Sequence, residues 1–482
     1  MSVASHLKDN TSKFLKLFKT REELTFETIS LIDVHSSTIV TQCLSNYDRK
    51  FAWIRLLVKT LLAIKYLFIY VIKELHKNKL NKPKKYKNDA DKMQGSTFLI
   101  INTNLAKREL YSPLIEASKK SNLTVNAFCI RSAKSNEYQI EINKSLSFLI
   151  FHFYKIIKLL IIHLSYSIRV KPQKSFAVIY SFVANLAAII DAVEILNYCE
   201  YYKIRPNNIV YDDINDPATR IIALYFKKLG IHINVLQFGH YDKESVEWNY
   251  VIADALFIWG EYYEKILVGE HNLPKNISIQ KLGSPRFDYL FENRSGSIHF
   301  QKKDSLDNFY GLVFSTYSIK NYGAWVDNEI INKLKRDVVD EFIKIESKNI
   351  KLIIKPHPYE SSQEINEWIR YSNPSLKILD QKIDARNLIA NASFIISFGS
   401  GLTLDALAAN KPVLIPNWID NFPYELEVLD AAGAQLLKRK SELNTEILRS
   451  VSNEAVNQKK NILNFVSNSR SISLEMLTKF IR

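Results

Sequence analysis

Two short stretches in the second half of the chain carry residue types that bind phosphate. The first is "KPHP" at 355–358, which ends an apolar run and holds His357 between two prolines. Proline fixes its own φ and disfavours helix at the residue before it, so the imidazole is held at the end of a predicted strand. An imidazole N–H there can donate to a phosphate oxygen, and Lys355 can add positive charge. The structural alternative is a loop histidine bonded to backbone.

The second stretch is "IISFGSGLTLDALAANKPVLIP" at 395–416, in which small residues lie between a predicted strand and a predicted helix. The small residues are Ser397, Gly399, Ser400 and Gly401. Glycine allows close backbone approach, and a helix N-terminus offers unpaired N–H groups and a positive dipole end, which suits a phosphate. The hydroxyls of Ser400 and Thr403 could add donors. The alternative is a tight βα turn whose serine caps the helix.

Two common nucleotide-binding motifs are absent from the sequence, since neither GxGxxG nor GxxxxGK[ST] occurs. Dinucleotide and P-loop sites are therefore not expected. The three cysteines, Cys43, Cys129 and Cys199, are far apart and lack metal spacing. This argues against a disulfide framework or a zinc site and fits a reducing compartment. The polar start "MSVASHLKDN" predicts no signal peptide.

The positive charge is concentrated near the start of the chain. The net charge is +15, and residues 1–95 hold 18 Lys and Arg against 9 Asp and Glu. An excess of cations favours an anionic partner such as a membrane surface or a nucleic acid. Within 51–77, Arg55, Lys59, Lys73 and Lys77 share one side of a predicted helix, and the polybasic stretch 77–87 follows.

Such an amphipathic segment is typical of a helix lying at a membrane interface. A helix buried against the protein with one solvated stripe is the alternative. A second long helix is predicted over 145–169, with Lys155, Lys158 and Arg169 on one side. Contact with a bilayer and packing in the core both stay open for it. Neither stretch has about 18 uncharged residues, so a membrane-spanning helix is not expected.

Strand and helix patterns alternate in two blocks along the chain. The 482-residue length allows about two to four domains, and the composition, 47% hydrophobic and 24% charged, is ordinary for a folded protein. One α/β unit is predicted over 96–291 and a second over 309–482, joined by a polar linker at 292–308. Repeated strand–helix–strand patterns favour parallel sheets, which bind ligands beyond the carboxyl ends of their strands.

The chain resembles a known family at several of these motifs. "KPHP" followed by "SFGSGLTLDALAANKPVLIP" is similar to the C-terminal half of GT-B glycosyltransferases that build bacterial surface polysaccharides. "LGSPRFDYL" (282–290) and "ADALFIWGEYYEKIL" (253–267) resemble the segments that lead into that half. The resemblance is clearest from about 205 to 420. It covers the capsule-synthesis, polyol-phosphate-polymerase and sialyltransferase-like groups together.

The resemblance implies two Rossmann-like domains facing a cleft, with 96–291 as the acceptor domain and 309–482 as the donor-nucleotide domain. The last helix would pack back on the acceptor domain, and 1–95 would form an added helical basic region. The donor phosphate would contact His357 and a pocket lined by Ser397, Gly399 and Ser400, with Gly283 and Arg286 near the cleft. Lys355, Gly401 and Thr403 complete the predicted donor site. The resemblance also implies that no metal is needed, because helix dipoles and side chains stabilise the leaving nucleotide. No cofactor is expected, since the nucleotide sugar is a substrate.

A transferase of this kind needs a general base, and three residues of the first unit are candidates. Asp212 and Asp213 in "VYDDIND" are adjacent, so mutual repulsion could raise one pKa. The pair resembles the acidic base motif of sialyltransferases, with Ile214 in place of a glycine. In related polymerases a histidine stands directly before this glycine, whereas His240 in "LQFGHYD" stands directly after it. A solvated acid pair and a surface histidine are the structural alternatives.

The predicted activity is transfer of a sugar from a nucleotide donor, CMP- or CDP-linked by resemblance, to a surface-glycan or lipid-linked acceptor. A single inverting displacement is expected. The protein is predicted to be cytoplasmic, in peripheral contact with the anionic inner face of the cytoplasmic membrane, and not to bind nucleic acid. A sugar-nucleotide epimerase of the same fold and a membrane-docked scaffold without activity are the alternatives.

Overall fold

The computed structural model is an α/β protein built on two six-stranded sheets. It describes residues 93–130, 146–169, 186–287, 309–316 and 328–451 with short internal gaps, and also 25–26, 29–30, 182, 475–476 and 478–479. The amphipathic stretch 51–77, the linker 292–308 and all but the last residue of a strand predicted over 175–182 lie outside the described residues. The domain boundaries therefore stay predictions.

The first sheet is parallel throughout and has the order β4-β3-β5-β6-β7-β8. A separate short antiparallel pair precedes it, formed by β1 (Thr25–Phe26) and β2 (Ile29–Ser30). The strands of the sheet are β3 (Thr97–Asn102), β4 (Val125–Ile130), β5 (Asn208–Tyr211), β6 (His232–Leu236), β7 (Ala255–Ile258) and β8 (Ser278–Lys281). Every residue of β5 and β7 is buried, as expected for a parallel sheet covered on both faces.

Five described helices accompany this sheet. They are α1 (Leu105–Lys120), α2 (Leu146–Arg169), α3 (Leu186–Tyr201), α4 (Pro217–Lys228) and α5 (Glu261–Glu270). The start of α4 follows from local chemistry, because Pro217 occupies the first turn and the Asp216 carboxylate accepts from the Thr219 N–H at 2.9 Å. After β8 the chain turns at Gly283, where φ is +89°, into a short 3₁₀ helix, Pro285–Phe287.

The second sheet is also parallel and has the order β11-β10-β9-β12-β13-β14. Its strands are β9 (Phe309–Phe314), β10 (Ile350–Lys355), β11 (Leu376–Ile378), β12 (Phe394–Ser397), β13 (Val413–Pro416) and β14 (Gln435–Leu437). The helices are α6 (Asn328–Ile343), α7 (Ser362–Ile369), α8 (Arg386–Ile389), α9 (Leu402–Ala408), α10 (Glu427–Ala431) and α11 (Lys440–Val451).

A capping box begins α7. The Glu364 carboxylate accepts from both the backbone N–H and the hydroxyl of Ser361 at 2.7 Å, and the Glu364 N–H donates back to that hydroxyl at 3.3 Å. This cap fixes where the chain turns from the loop after β10 into the helix.

Each sheet has one switch point, where the chain adds strands first on one side of the starting strand and then on the other. In the first sheet β3 lies between β4 and β5, and in the second β9 lies between β10 and β12. Crevices at the carboxyl ends of such strands are where open α/β sheets bind ligands. Asp212 directly follows β5, and Ser315 and Ser397 lie at the ends of β9 and β12. The two predicted ligand edges are therefore at these switch points.

The long helix predicted over 145–169 is present as α2, and its three cations differ in their exposure. Lys158 and Arg169 are exposed, but Lys155 is buried and its ammonium lies 3.5 Å from the Glu200 carboxylate on α3. Lys155 therefore belongs to the packed side of the helix rather than to a stripe of exposed cations.

Among the helices that the structure describes, none is both long and apolar enough to cross a membrane.

Candidate functional site

The loop after β10 is held by hydrogen bonds at several points. The backbone N–H of His357 donates to Glu360 Oε2 at 2.7 Å. The side-chain amide of Gln381 donates to the carbonyls of His357 and Glu360 at 2.9 and 2.8 Å. These bonds fix the backbone on both sides of the imidazole, so the position of His357 does not depend on the prolines alone.

Glu360 is the centre of this arrangement. Its side chain is fully buried and forms an ion pair with Lys335, whose side chain is also fully buried. The same carboxylate accepts from Ser315 Oγ at 2.8 Å and from the Trp368 indole N–H at 3.3 Å. A buried charge is tolerated only when it is paired and hydrogen-bonded, so these contacts together hold the loop, the end of β9, α6 and α7 in one geometry.

The His357 imidazole is uncharged at neutral pH. The pKa of His357 is lowered from its ordinary 6.5 to about 4, mainly by burial and also by the Lys355 ammonium, while the Glu364 carboxylate opposes the change. A neutral imidazole offers one N–H donor and one acceptor. His357 can therefore donate a hydrogen bond to an anionic oxygen without first carrying a charge.

Lys355 is placed differently from the sequence expectation of a charge aimed at a ligand. Its side chain is buried, and Nζ donates to the carbonyls of Pro356 and Gln381 at 2.9 and 2.8 Å. In this geometry Lys355 braces the loop and contributes positive potential to it. Direct contact with a phosphate stays a prediction.

The turn after β12 brings together the three hydroxyl-bearing residues of the predicted phosphate site. Ser397 and Thr403 are fully buried, and their hydroxyl oxygens lie 2.7 Å apart. The Ser400 N–H donates to Ser397 Oγ at 3.2 Å, and the Leu402 N–H donates to Ser400 Oγ at 3.3 Å. Ser397 and Thr403 therefore hold the turn from inside, and Ser400, which is partly exposed, is the hydroxyl of the three that lies nearest to solvent.

The two glycines of this turn serve different purposes. Gly399 has φ of +83°, a conformation that favours glycine. Gly401 has ordinary helical angles, and a Cβ placed on it would meet no atom within 4 Å. Gly399 is thus required by the backbone, whereas Gly401 leaves open space beside the start of α9.

Arg286 joins the two halves of the chain. It lies in the 3₁₀ helix that follows the first sheet, and its guanidinium forms an ion pair with the carboxylate of Asp405 on α9. Asp405 is fully buried, and the guanidinium also lies over the rings of Trp259 and Phe287 at 5.5 and 5.4 Å from their centroids. Arg286 and the turn at Gly283 are therefore placed next to the helix that carries the Ser/Gly turn.

The carboxyl edge of the first sheet holds the buried acid Asp212. Asp212 is 4% exposed, and the Tyr111 hydroxyl on α1 donates to its Oδ1 at 2.8 Å. Nearby, the Gln237 side chain accepts from the Trp259 N–H at 2.9 Å and donates to the Gly239 carbonyl at 2.9 Å. The other two candidate bases, Asp213 and His240, lie outside the described residues.

Several residues that shape the candidate site are not predicted from the sequence, although the sequence around them contains a relevant pattern. Lys335 shares the apolar side of α6 with Leu334 and Val338, and Asp405 interrupts the apolar helix α9. A charge on a buried helix face requires a partner. Glu360 follows His357 by three residues, and only the fold shows that it turns back to bind the His357 N–H.

Within the described ranges, no cluster of three or more His, Cys, Asp or Glu residues is placed to hold a metal ion.

No protein-family model and no curated protein sequence matches the chain. Solved structures do match in shape. The UDP-GlcNAc 2-epimerase from Methanocaldococcus jannaschii has a TM-score of 0.51 and 15% identity, covering 80% of this chain and 99% of that one. S. aureus MnaA in its co-structure with UDP has a TM-score of 0.51 and 12% identity, covering 80% and 95%. A variant of the wall teichoic acid polymerase TagF has a TM-score of 0.46 and 12% identity, covering 89% and 97%.

Likeness at such low identity shows the fold alone. The two parallel sheets and the two matches with TM-scores of 0.51 show that the chain adopts the two-domain α/β GT-B fold. The predicted fold class is confirmed.

The Lys335–Glu360 pair can be tested by removing its charges singly and together. Lys335→Met should lower the free energy of unfolding by about 3–5 kcal/mol, because it leaves a buried carboxylate without its cation. Lys335→Met with Glu360→Gln removes both charges and should be less destabilised than Lys335→Met alone. Urea unfolding of the wild type, of Lys335→Met and Glu360→Gln singly, and of the double variant measures both effects. Additive losses from the two single changes would contradict the proposed coupling.

Two buried histidines predict a loss of stability in acid. Burial lowers the pKa of His163 from 6.5 to about 4, against the raising effect of its hydrogen bond to the Leu159 carbonyl. His357 has a similarly lowered pKa. Between pH 6.5 and 4 the unfolded chain binds these protons first, so the free energy of unfolding falls as the pH falls.

Each histidine should cost about 2 kcal/mol between pH 7 and pH 5. His163→Gln should reduce the loss over that interval by about this amount when urea unfolding is measured at both values. An unchanged pH dependence in the variant would show that His163 does not titrate as its burial indicates.

Proposed function

We propose that this protein is a GT-B glycosyltransferase that moves a sugar from a nucleotide-activated donor to a surface-glycan or lipid-linked acceptor. The observation that carries the proposal is that the carboxyl edges of the two sheets differ in chemistry. The second sheet presents a neutral, braced histidine beside a Ser/Gly turn, and the first presents the buried carboxylate of Asp212. One edge suits an anionic leaving group, and the other suits proton removal.

The donor side would bind the nucleotide phosphate between the β10 loop and the β12 turn. These two strands flank β9, so their carboxyl ends lie about 10 Å apart, a span that a diphosphate and its sugar can bridge. His357 would donate through its imidazole N–H, and Ser400 would add a hydroxyl. Gly401 would allow close approach, because a Cβ there meets no atom within 4 Å.

The structural neighbours support a nucleotide sugar as the ligand. The M. jannaschii epimerase was solved in complex with UDP-GlcNAc and UDP, and MnaA was solved with UDP. The preference for a CMP- or CDP-linked donor rests only on the sequence resemblance around "KPHP" and the Ser/Gly turn. The donor's base and sugar are thus to be identified by direct binding.

The proposed reaction is a single inverting displacement. The acceptor hydroxyl oxygen attacks the anomeric carbon while the bond from that carbon to the phosphate oxygen breaks, and the phosphate leaves with the electron pair. Asp212 would take the acceptor proton, and the Tyr111 hydroxyl would hold the carboxylate in place. The donors of the second sheet would stabilise the charge that develops on the leaving phosphate.

An epimerase is the second candidate, because the M. jannaschii structure with the same fold is an epimerase. An epimerase changes its nucleotide sugar without any acceptor, whereas a transferase releases nucleotide in proportion to the sugar transferred. A scaffold without activity is the third possibility and would bind no nucleotide at this site.

The donor pocket can be tested with a panel of nucleotides. CMP, CDP, UDP, GDP and their sugars should be compared by thermal shift, and a ligand at about 100 times its Kd should add about 2.7 kcal/mol of stability. His357→Ala should weaken binding of the nucleotide that gives the largest shift. No shift with any nucleotide would refute the proposed donor site.

A glycine substitution separates this pocket from the fold. Gly401→Leu should leave the free energy of unfolding within about 1 kcal/mol, since its backbone is helical and a Cβ has open space. It should nevertheless weaken nucleotide binding at least tenfold, roughly, by filling the space that the ligand needs. Gly269→Leu, at another open glycine on α5, is the matched control and should bind normally.

The base assignment predicts a selective loss of turnover. Asp212→Asn keeps an oxygen that can accept from Tyr111 but cannot take a proton, so nucleotide release should slow by about 10²-fold or more while donor binding is retained. Release is measured with the best donor, with and without a lipid-linked glycan extract. NMR of the nucleotide sugar incubated alone detects epimerisation. Full activity of Asp212→Asn would move the base to Asp213 or His240.

A further inference from the structure

Helix α2 presents a long apolar stripe to solvent. Six large side chains recur at intervals of four and three residues, and each is more than half exposed, from 54% for Ile157 to 84% for Ile168. The six are Ile150, Tyr154, Ile157, Ile161, Leu164 and Ile168. At 1.5 Å per residue the stripe is about 27 Å long. Scattered exposed apolar residues are normal, but a continuous stripe of this length marks an interaction surface.

The opposite side of α2 is packed, which fixes the direction in which the stripe faces. Ile156 and Leu159 are buried, and the His163 ring stacks on Phe182 with centroids 4.0 Å apart. His152 is also buried and lies 2.9 Å from the Asn197 amide on α3. The helix therefore has two apolar sides, of which one is used by the protein's own core.

The charges around the stripe are positive. The sequence of α2 contains no Asp or Glu, and its exposed cations are Lys158 and Arg169. On the neighbouring helix, the Glu200 carboxylate lies 3.5 Å from the Lys155 ammonium, which offsets its charge. Tyr201, which is 40% exposed and lies 6.1 Å from Phe151 between ring centroids, extends the surface with another amphipathic aromatic ring.

We propose that the exposed face of α2 docks on the surface of an anionic lipid bilayer. The apolar stripe would enter the boundary between headgroups and acyl chains, and Lys158 and Arg169 would contact lipid phosphates. Tyr154 suits this depth, because tyrosine places its ring in apolar surroundings and its hydroxyl among headgroups. This inference does not depend on the proposed activity.

The charge pattern favours lipid over the other occupants. A second copy meeting this face about a two-fold axis would place the exposed cations of α2 against one another, and α2 itself contributes no carboxylate to such a contact. The segment 51–77 of this chain is itself rich in Lys and Arg and contains a single acid, Glu74, so it offers no better complement. An anionic bilayer supplies both the apolar volume and the negative charge.

Vesicle flotation of the full chain tests the proposal. The protein should float with phosphatidylcholine vesicles containing about 30% phosphatidylglycerol and much less with phosphatidylcholine alone. Ile157→Glu with Ile161→Glu should weaken binding to the anionic vesicles at least tenfold, roughly, because it places two carboxylates in the stripe. Val268→Glu with Leu448→Glu makes the same changes at exposed apolar residues of α5 and α11 and should bind like the wild type.

A probe on the stripe locates the contact. Burial raises the pKa of the Cys199 thiol to about 12, so this cysteine stays unreactive when Cys43→Ser and Cys129→Ser remove the other two. A fluorescent NBD label on Ile161→Cys should brighten and shift to the blue with anionic vesicles, and a label on Leu448→Cys should not.

Flotation unchanged by the Ile157 and Ile161 substitutions, together with a silent probe at 161, would overturn the proposal. Wild-type dimers that dissociate in the double variant while vesicle binding persists would assign the face to a second copy and would equally overturn it.

Discussion

The buried carboxylate of Glu360 is the contact on which the geometry of the second sheet's edge depends. It is paired with Lys335, it accepts from Ser315 and Trp368, and its second oxygen holds the His357 N–H. Two charges taken out of water cost several kcal/mol each unless every contact is kept, so the arrangement has little freedom to distort. Through it, one helix face, two strand ends and the histidine loop share a single geometry.

A second buried ion pair has the corresponding role between the halves of the chain. Arg286 follows the first sheet and Asp405 lies on the helix after β12, so their pairing sets the Gly283 turn beside the Ser/Gly turn. Near the chain end, Lys479 donates to the side-chain oxygen of Gln280 on β8 at 2.9 Å, which links two further segments that are distant in sequence. Placement of the two edges thus rests on a few polar contacts between segments far apart in sequence.

Much of the fold follows from the sequence because parallel strands are short apolar runs and their turns carry strong local signals. Three such signals coincide with helix starts in the structure: Gly260 before α5, Pro217 in the first turn of α4, and the Ser361–Glu364 cap of α7. The elements β14, α10 and α11 lie within the unit predicted over 309–482, but their individual bounds come from the structure.

The candidate site is harder to predict because its contacts join distant segments. The sequence correctly places His357 and the Ser/Gly turn at strand ends, but it does not show that Lys355 bonds to carbonyls or that Ser397 and Thr403 bond to one another. Those outcomes depend on side-chain packing around β10 and β12. The partner of a buried charge such as Lys335 is set by the fold and not by local pattern.

The central claim is that a nucleotide sugar binds at the carboxyl edge of the second sheet, and hydrogen–deuterium exchange tests it most directly. The nucleotide that stabilises the protein most should slow amide exchange in the segments around 355–360 and 397–403, because the ligand would order both loops at once. Peptides of α11, which follows β14 in the chain, should exchange at the same rate with and without the nucleotide. Slowed exchange confined to other parts of the chain, with both loops unaffected, would contradict the account.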